Sequence, residues 1–144
     1  MKWETALEFE QQAQEDLYAR VQLYLRDCFG ELAEALDGEP GFIVELGSMR
    51  FLASVHANGP QRASVMLLKL VGGGIVIRPS VADYLLRRAH DLPLITVSLT
   101  DDDQITLRQV ILGEAVTREN VGMMLRMFAA TCEDIEDELT MQFR

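Results

Sequence analysis

Apolar residues recur at Leu17, Val21, Leu25, Cys28, Leu32 and Leu36, in steps of three and four that draw one stripe along a helix. Gly38, Pro40 and Gly41 stand where that helix would end. Upstream, Thr5 and Glu8 of "TALE" fit a capping box, the hydroxyl capping the first turn and the carboxylate reaching back. Phe9 to Asp16 lack the stripe, so those turns are expected to fray or to run past the body.

The period then drops to two. "FIVEL" and "MRFLASVHA", parted by Gly47-Ser48, are rich in strand formers and read as a tight hairpin or as one long bulged strand. In the second, Met49, Phe51, Ala53, Val55 and Ala57 share one face; Arg50, Leu52, Ser54 and His56 share the other, more polar one. "ANGPQ" is a turn by composition. "ASVMLLKLV", residues 63–71, is apolar on both faces, with Met66, Leu68 and Leu70 on one and Val65, Leu67 and Val71 on the other. Such a strand is covered from both sides. Gly72-Gly73-Gly74 interrupts it, and "IVIRP" resumes a short extended segment.

A second helix is expected with Ser80 as its cap and Asp83 completing a looser box, running to about His90 and stopping before Pro93. "PLITVSL" and "QITLRQVIL" flank "TDDD" as a hairpin. Alternation holds at Ile95, Val97 and Leu99 and at Ile105 and Leu107, then slips into Val110, Ile111 and Leu112, which predicts a bulge or the end of the strand. Thr117 caps a last helix striped by Val121, Met124, Leu125, Phe128, Cys132, Ile135 and Leu139. The order α-β-β-β-α-β-β-α describes an α+β fold with a mostly antiparallel sheet. No repeat, linker or low-complexity tract divides residues 1–144, so a single domain is expected.

Composition sharpens this picture. A chain of 144 residues, 49% of them hydrophobic, has enough material for a core and too much for disorder. Its net charge of −10 repels DNA, RNA and anionic membranes, and the densest basic pair is only Arg87-Arg88. Cys28 and Cys132 match no CxxC spacing and imply no disulfide. The polar start "MKWETALEFEQQ" is neither a signal nor a transit peptide, and no apolar run approaches the roughly 20 residues of a membrane helix. A soluble, cytoplasmic protein is expected.

Five acidic residues crowd "CEDIEDEL": Glu133, Asp134, Glu136, Asp137 and Glu138. Glu133 with Asp137, and Asp134 with Glu138, are like-charged i,i+4 pairs that each cost about 0.2–0.5 kcal/mol. Each Leu, Ile or Phe buried from the stripe returns roughly 1.5–3 kcal/mol, so packing wins and the run reads as mainly the solvated face of a helix. "TDDDQ" lacks the Gly and Glu of a calcium loop, and "GGG" at 72–74 lacks the Lys and the following helix of a phosphate loop. Close approach of chain segments, or backbone flexibility, explains the glycines better. His90 suits a helix C-terminus, and His56 lies on the polar strand face. No catalytic grouping emerges, so no enzymatic activity, cofactor or metal is expected.

The stretch "YLLRRAHDLPLITVSLTDDDQITLRQVILGEAVTRENVGMMLRMFAATCEDIEDEL" resembles the C-terminal half of the YbjN family, itself similar in fold to the small chaperones of type III secretion. The "LLRRAHDLP" junction, the acidic hairpin, "LGEAVTREN" opening the last helix and the acidic helix end carry that resemblance. It implies a twisted antiparallel sheet packed with helices. It also implies a noncatalytic role, binding a peptide segment of another protein, often as a dimer. Nothing in the sequence gives a secretion context.

The residues themselves point the same way. Helices on one side of a sheet cover one face of strand 63–71; the other face, with Met66, Leu68, Leu70 and Leu52, would be an apolar docking patch for a protein partner or a second subunit. Met123 and Met127 flank the last helix's stripe, where methionine adapts to varied surfaces. The acidic surface would select basic or neutral partners. The expected function is a dimeric peptide-binding or chaperone-like module. The alternatives are a regulatory or structural subunit of one fixed complex, and a small-molecule binder using a pocket near Gly72–Gly74 and His56.

Overall fold

The computed structural model describes residues 7–144. Helix α1 spans Gln12–Phe29 and buries Leu17, Tyr18, Val21, Leu25 and Phe29 along its stripe. The Thr5–Glu8 capping box has its first member outside the described residues. Within them the helix begins later than the sequence suggests, at Gln12, and the preceding segment is not frayed helix. Phe9 lies 5.5 Å from the Tyr18 ring, and the Glu10 amide donates to Gln14 Oε1 at 2.9 Å.

Helix α1 also ends earlier than expected. Gly30 caps it, its N–H bonded to the Arg26 carbonyl, and a 3-10 turn at Gly30–Leu32 follows. Leu32 and Leu36 therefore do not continue the helix. Leu32 lies in that turn, and Leu36 follows β1 (Ala33–Ala35), an edge strand absent from the expected order. The glycine stop at position 30 outweighs two well-spaced leucines.

Strand β2 (Gly41–Leu46) turns directly into β3 (Met49–Ala57), pairing Leu46 with Met49 across a two-residue loop. Gly47 holds φ +60° at the first loop position, the backbone that a II′ turn needs there, so the hairpin alternative is the right one. Strand β4 (Ala63–Val71) returns after the Asn58–Arg62 turn. Residues 75–78 join no strand, and Arg78 at their end has an extended backbone. Helix α2 (Pro79–His90) starts at Pro79 with Arg78 as N-cap and no side-chain cap, so Ser80 is not the cap. Proline at the first helical position supplies the start signal instead.

The second hairpin is β5 (Thr96–Leu99) and β6 (Ile105–Leu112), joined by a loop in which the Thr100 amide donates to the Gln104 carbonyl. Strand β5 is shorter than "PLITVSL"; Pro93 has no N–H to give a ladder. Strand β6 carries no bulge. It pairs with β4 without interruption from Ser64↔Leu112 to Val71↔Ile105. The apparent slip at Val110 arises because its outward positions are apolar too. Helix α3 (Arg118–Phe143) is capped as expected, Thr117 Oγ1 accepting from the Asn120 amide at 3.1 Å.

The sheet has six strands in the order β1-β2-β3-β4-β6-β5, every neighbour antiparallel. This is a twisted, open α+β architecture. Helices α1 and α3 cross β3 and β4 on one face and touch each other, and α2 lies beside β5. One core joins them all, with Phe128, Leu67, Leu107, Leu125 and Ile135 almost wholly enclosed. Phe128 meets Phe51 edge-on at 5.1 Å.

Candidate protein-binding surface

Strict alternation along the central strands divides the sheet into a covered and an open face. Val65, Leu67 and Val71 of β4 are buried beneath the helices together with Phe51, Ala53 and Val55 of β3 and Ile105, Leu107 and Ile111 of β6. Leu52, Met66 and Leu68 point the other way and are half-buried, while Leu70 is 50% exposed. Register aligns them into rows. Ile43 pairs with Leu52, Leu52 with Leu68, and Leu68 with Arg108; Met66 sits between Ser54 and Val110.

Two residues that the sequence reading did not nominate extend this surface. Val110 is 57% exposed and Leu112 61%, both on the open side of β6. The period-two run from Ile105 was the available signal, obscured because the outward Val110 and Leu112 are apolar as well. Charge on this face is mixed. Arg50 pairs with Glu45 at 3.6 Å, and Ser54 Oγ and His56 Nε2 are 2.7 Å apart. Arg108, exposed beside Leu68, has no salt-bridge partner among the described residues.

Met123 and Met127 are 54% and 56% exposed, and they line a different feature. An open apolar groove of about 250 Å³ runs between α3 and the segment entering β5, with Met124, Phe128, Leu94 and Ile95 on its walls. Helix α3 lies on the covered face, so this groove and the Leu52–Met66–Leu68–Leu70 patch are on opposite sides of the sheet. The six nominated residues fall on two separate surfaces, not one. His56 and the glycines at 72–74 are also far apart. His56 pairs with Ser64 at one end of β4, and Gly72 follows the other end, about 25 Å away at strand rise. The single pocket near both does not form.

The acidic run divides in the same way. Glu133, Asp134 and Asp137 are solvated, but Glu136 and Glu138 are partly buried and engaged. Glu136 Oε2 accepts the Gly72 amide at 2.6 Å, and its other oxygen meets Arg144 at 3.3 Å. Glu138 accepts from the Tyr84 hydroxyl and from Arg88 Nε at 2.9 Å, fastening α2 to α3. Burial pushes the Glu138 carboxyl up, but the hydrogen bonds from Tyr84 and Arg88 and the Arg88 charge outweigh it and hold it below the usual carboxylate range. Burial first, and the Glu138 carboxylate second, raise the Tyr84 phenol above its ordinary value. The two free cysteines lie in or beside the core; burial pushes the Cys132 thiol up to about 12 against the weaker pull of Lys69. Among the described residues no three His, Cys, Asp or Glu side chains gather as metal ligands. No described helix is long and apolar enough to cross a membrane.

Residues 75–141, which contain α2, β5, β6 and most of α3, match the model of the YbjN family, described as "Putative bacterial sensory transduction regulator". That segment, somewhat under half of the chain, is similar to YbjN. The stretch that resembles YbjN in sequence, residues 84–139, lies inside the match. The YbjN description names a regulatory role and no reaction. No curated protein matches the chain. The observed element order, with β1 added, is compatible with the secretion-chaperone-like arrangement that the YbjN resemblance implies.

Proposed function

We propose that this protein is a noncatalytic, cytoplasmic regulatory module that binds an apolar segment of another protein on the open face of its sheet. The observation that carries the reading is the row of Leu52, Met66, Leu68 and Leu70 continued by Val110 and Leu112, on a face that no helix among the described residues covers. Contiguous apolar surface of this kind marks an interaction site. Arg108 beside Leu68 favours a segment with an acidic residue next to its apolar ones, a different preference from the basic or neutral partner that net charge alone suggests. The regulatory description of the YbjN family supports a specific target over general holding of unfolded chains.

The test is photo-crosslinking from position 68 in native cytosol, with and without Leu70→Asp and Val110→Asp. A discrete crosslinked partner that disappears in the double variant supports the reading. Crosslinking that is unchanged by the two substitutions, or absent throughout, defeats it. Light scattering on the same proteins decides whether the partner is a second copy. A dimer that the double variant dissolves assigns the face to self-association, as the expected dimer requires.

A further inference from the structure

The covered side of the sheet is not closed over at its β5 border, and one polar residue there has no structural employment. Gln109 projects from β6 toward the helices, opposite Leu67 of β4, and is only 8% exposed. It lines the groove between α3 and the segment entering β5. Its carboxamide makes no hydrogen bond to a described residue, and among the described residues no enclosed side-chain nitrogen or oxygen lacks a partner, so the amide opens on the groove. Without a protein partner and open to the groove, the amide can hydrogen-bond a guest in place of water.

The walls state what would suit it. They include three methionines, Met123, Met124 and Met127, with Phe128 behind them and no ionisable side chain. A charged guest would lose its hydration with no countercharge in return, which excludes carboxylates, phosphates and amines. Methionine thioethers adapt in shape and favour contact with aromatic rings. The volume, about 250 Å³, falls just below the range of roughly 300–1,000 Å³ that holds drug-sized ligands, so the guest is small. A carboxamide offers both donor and acceptor, and its best complement is a group that does the same.

We propose that this groove is a binding site for a small neutral molecule, apolar over most of its surface, whose single amide-like group pairs with Gln109. The site is separate from the open sheet face and stands or falls independently of it.

The experiment follows methionine methyl resonances of the full chain during titration with benzamide, benzoate and toluene. Benzamide is expected to shift the Met123, Met124 and Met127 signals saturably, with a Kd on the order of 1 mM for so small a probe. Benzoate is expected to bind at least about tenfold more weakly. Gln109→Leu should weaken benzamide by about fivefold while leaving toluene unchanged or tighter. Met127→Glu, at an exposed position, should abolish toluene and benzamide binding with the melting temperature retained. Absence of saturable shifts in the wild type overturns the proposal. So does equal affinity for benzamide and benzoate, or dependence of the same signals on protein concentration alone, which gives the groove to a second copy.

Discussion

The Gly72 amide donates to Glu136 Oε2 at 2.6 Å, tying the end of β4 to the acidic stretch of α3. Gly72 is buried at φ +66°, and a Cβ there would meet Ile105 Cδ1 at 3.0 Å and Leu139 Cδ1 at 3.1 Å. Gly72→Ala is therefore expected to cost about 1–3 kcal/mol, from the left-handed backbone and from crowding. Glu136→Leu removes the acceptor and leaves the amide unpaired, at about 1–3 kcal/mol. Glu136→Gln keeps an acceptor oxygen and should cost less. Urea unfolding of the three variants ranks them.

Glu138 makes stability depend on acid. Its carboxyl titrates below the ordinary range in the folded protein, so its contribution is complete above the unfolded value of about 4.3 and is lost as pH falls through the lower folded value. Tyr84 acts at the other extreme. Its raised pKa gives a contribution that is present below the unfolded value of about 10 and is lost as pH rises through the folded one. Glu138→Gln should flatten the acid limb of a stability–pH profile and shorten the alkaline one. A profile with an unchanged acid limb would assign that limb to other carboxylates.

Of the three hydroxyls nominated as caps, the two within the described residues should separate cleanly. Thr117→Ala is expected to lower stability by about 0.5–2 kcal/mol, since it leaves the Asn120 amide without its acceptor. Ser80→Ala, at an exposed position behind Pro79, should change it by less than about 0.5 kcal/mol. Melting curves of the pair decide this directly.

The thiols should differ in the same sense. Cys132 is buried with its thiol pushed up to about 12, whereas Cys28 is partly accessible. Iodoacetamide at neutral pH should label Cys28 first, with Cys132 reacting only in denaturant. Mass spectrometry of peptides from a time course reads both rates.

Periodicity made most of the fold legible. β3 and β4 match the sequence reading at both ends, and the α3 stripe from Val121 to Leu139 is buried apart from the partly exposed Met124. The errors came where a short-range signal competed with a pattern. Gly30 ended α1 inside a continuing leucine stripe, and Pro79 displaced Ser80 as the start of α2. The candidate surfaces were less legible because they depend on register between distant strands. Leu68 faces its neighbours through β3 and β6 at once, and no local pattern places Val110 beside Met66. The roles of Glu136 and Glu138 were equally hidden, since Gly72, Tyr84 and Arg88 lie some fifty or more residues upstream.

The seam between β4 and β6 has a practical bearing on how this chain can be cut. The YbjN match takes in β6 and leaves β4 behind. A fragment trimmed to residues 75–144 would keep an eight-residue strand with one ladder bare, and Phe128 would lose the Phe51 ring it rests on. Sequence similarity and autonomous folding part company at that line. Such a fragment, expressed alone, should be recovered as aggregate, and should become tractable only when 7–74 is supplied in trans.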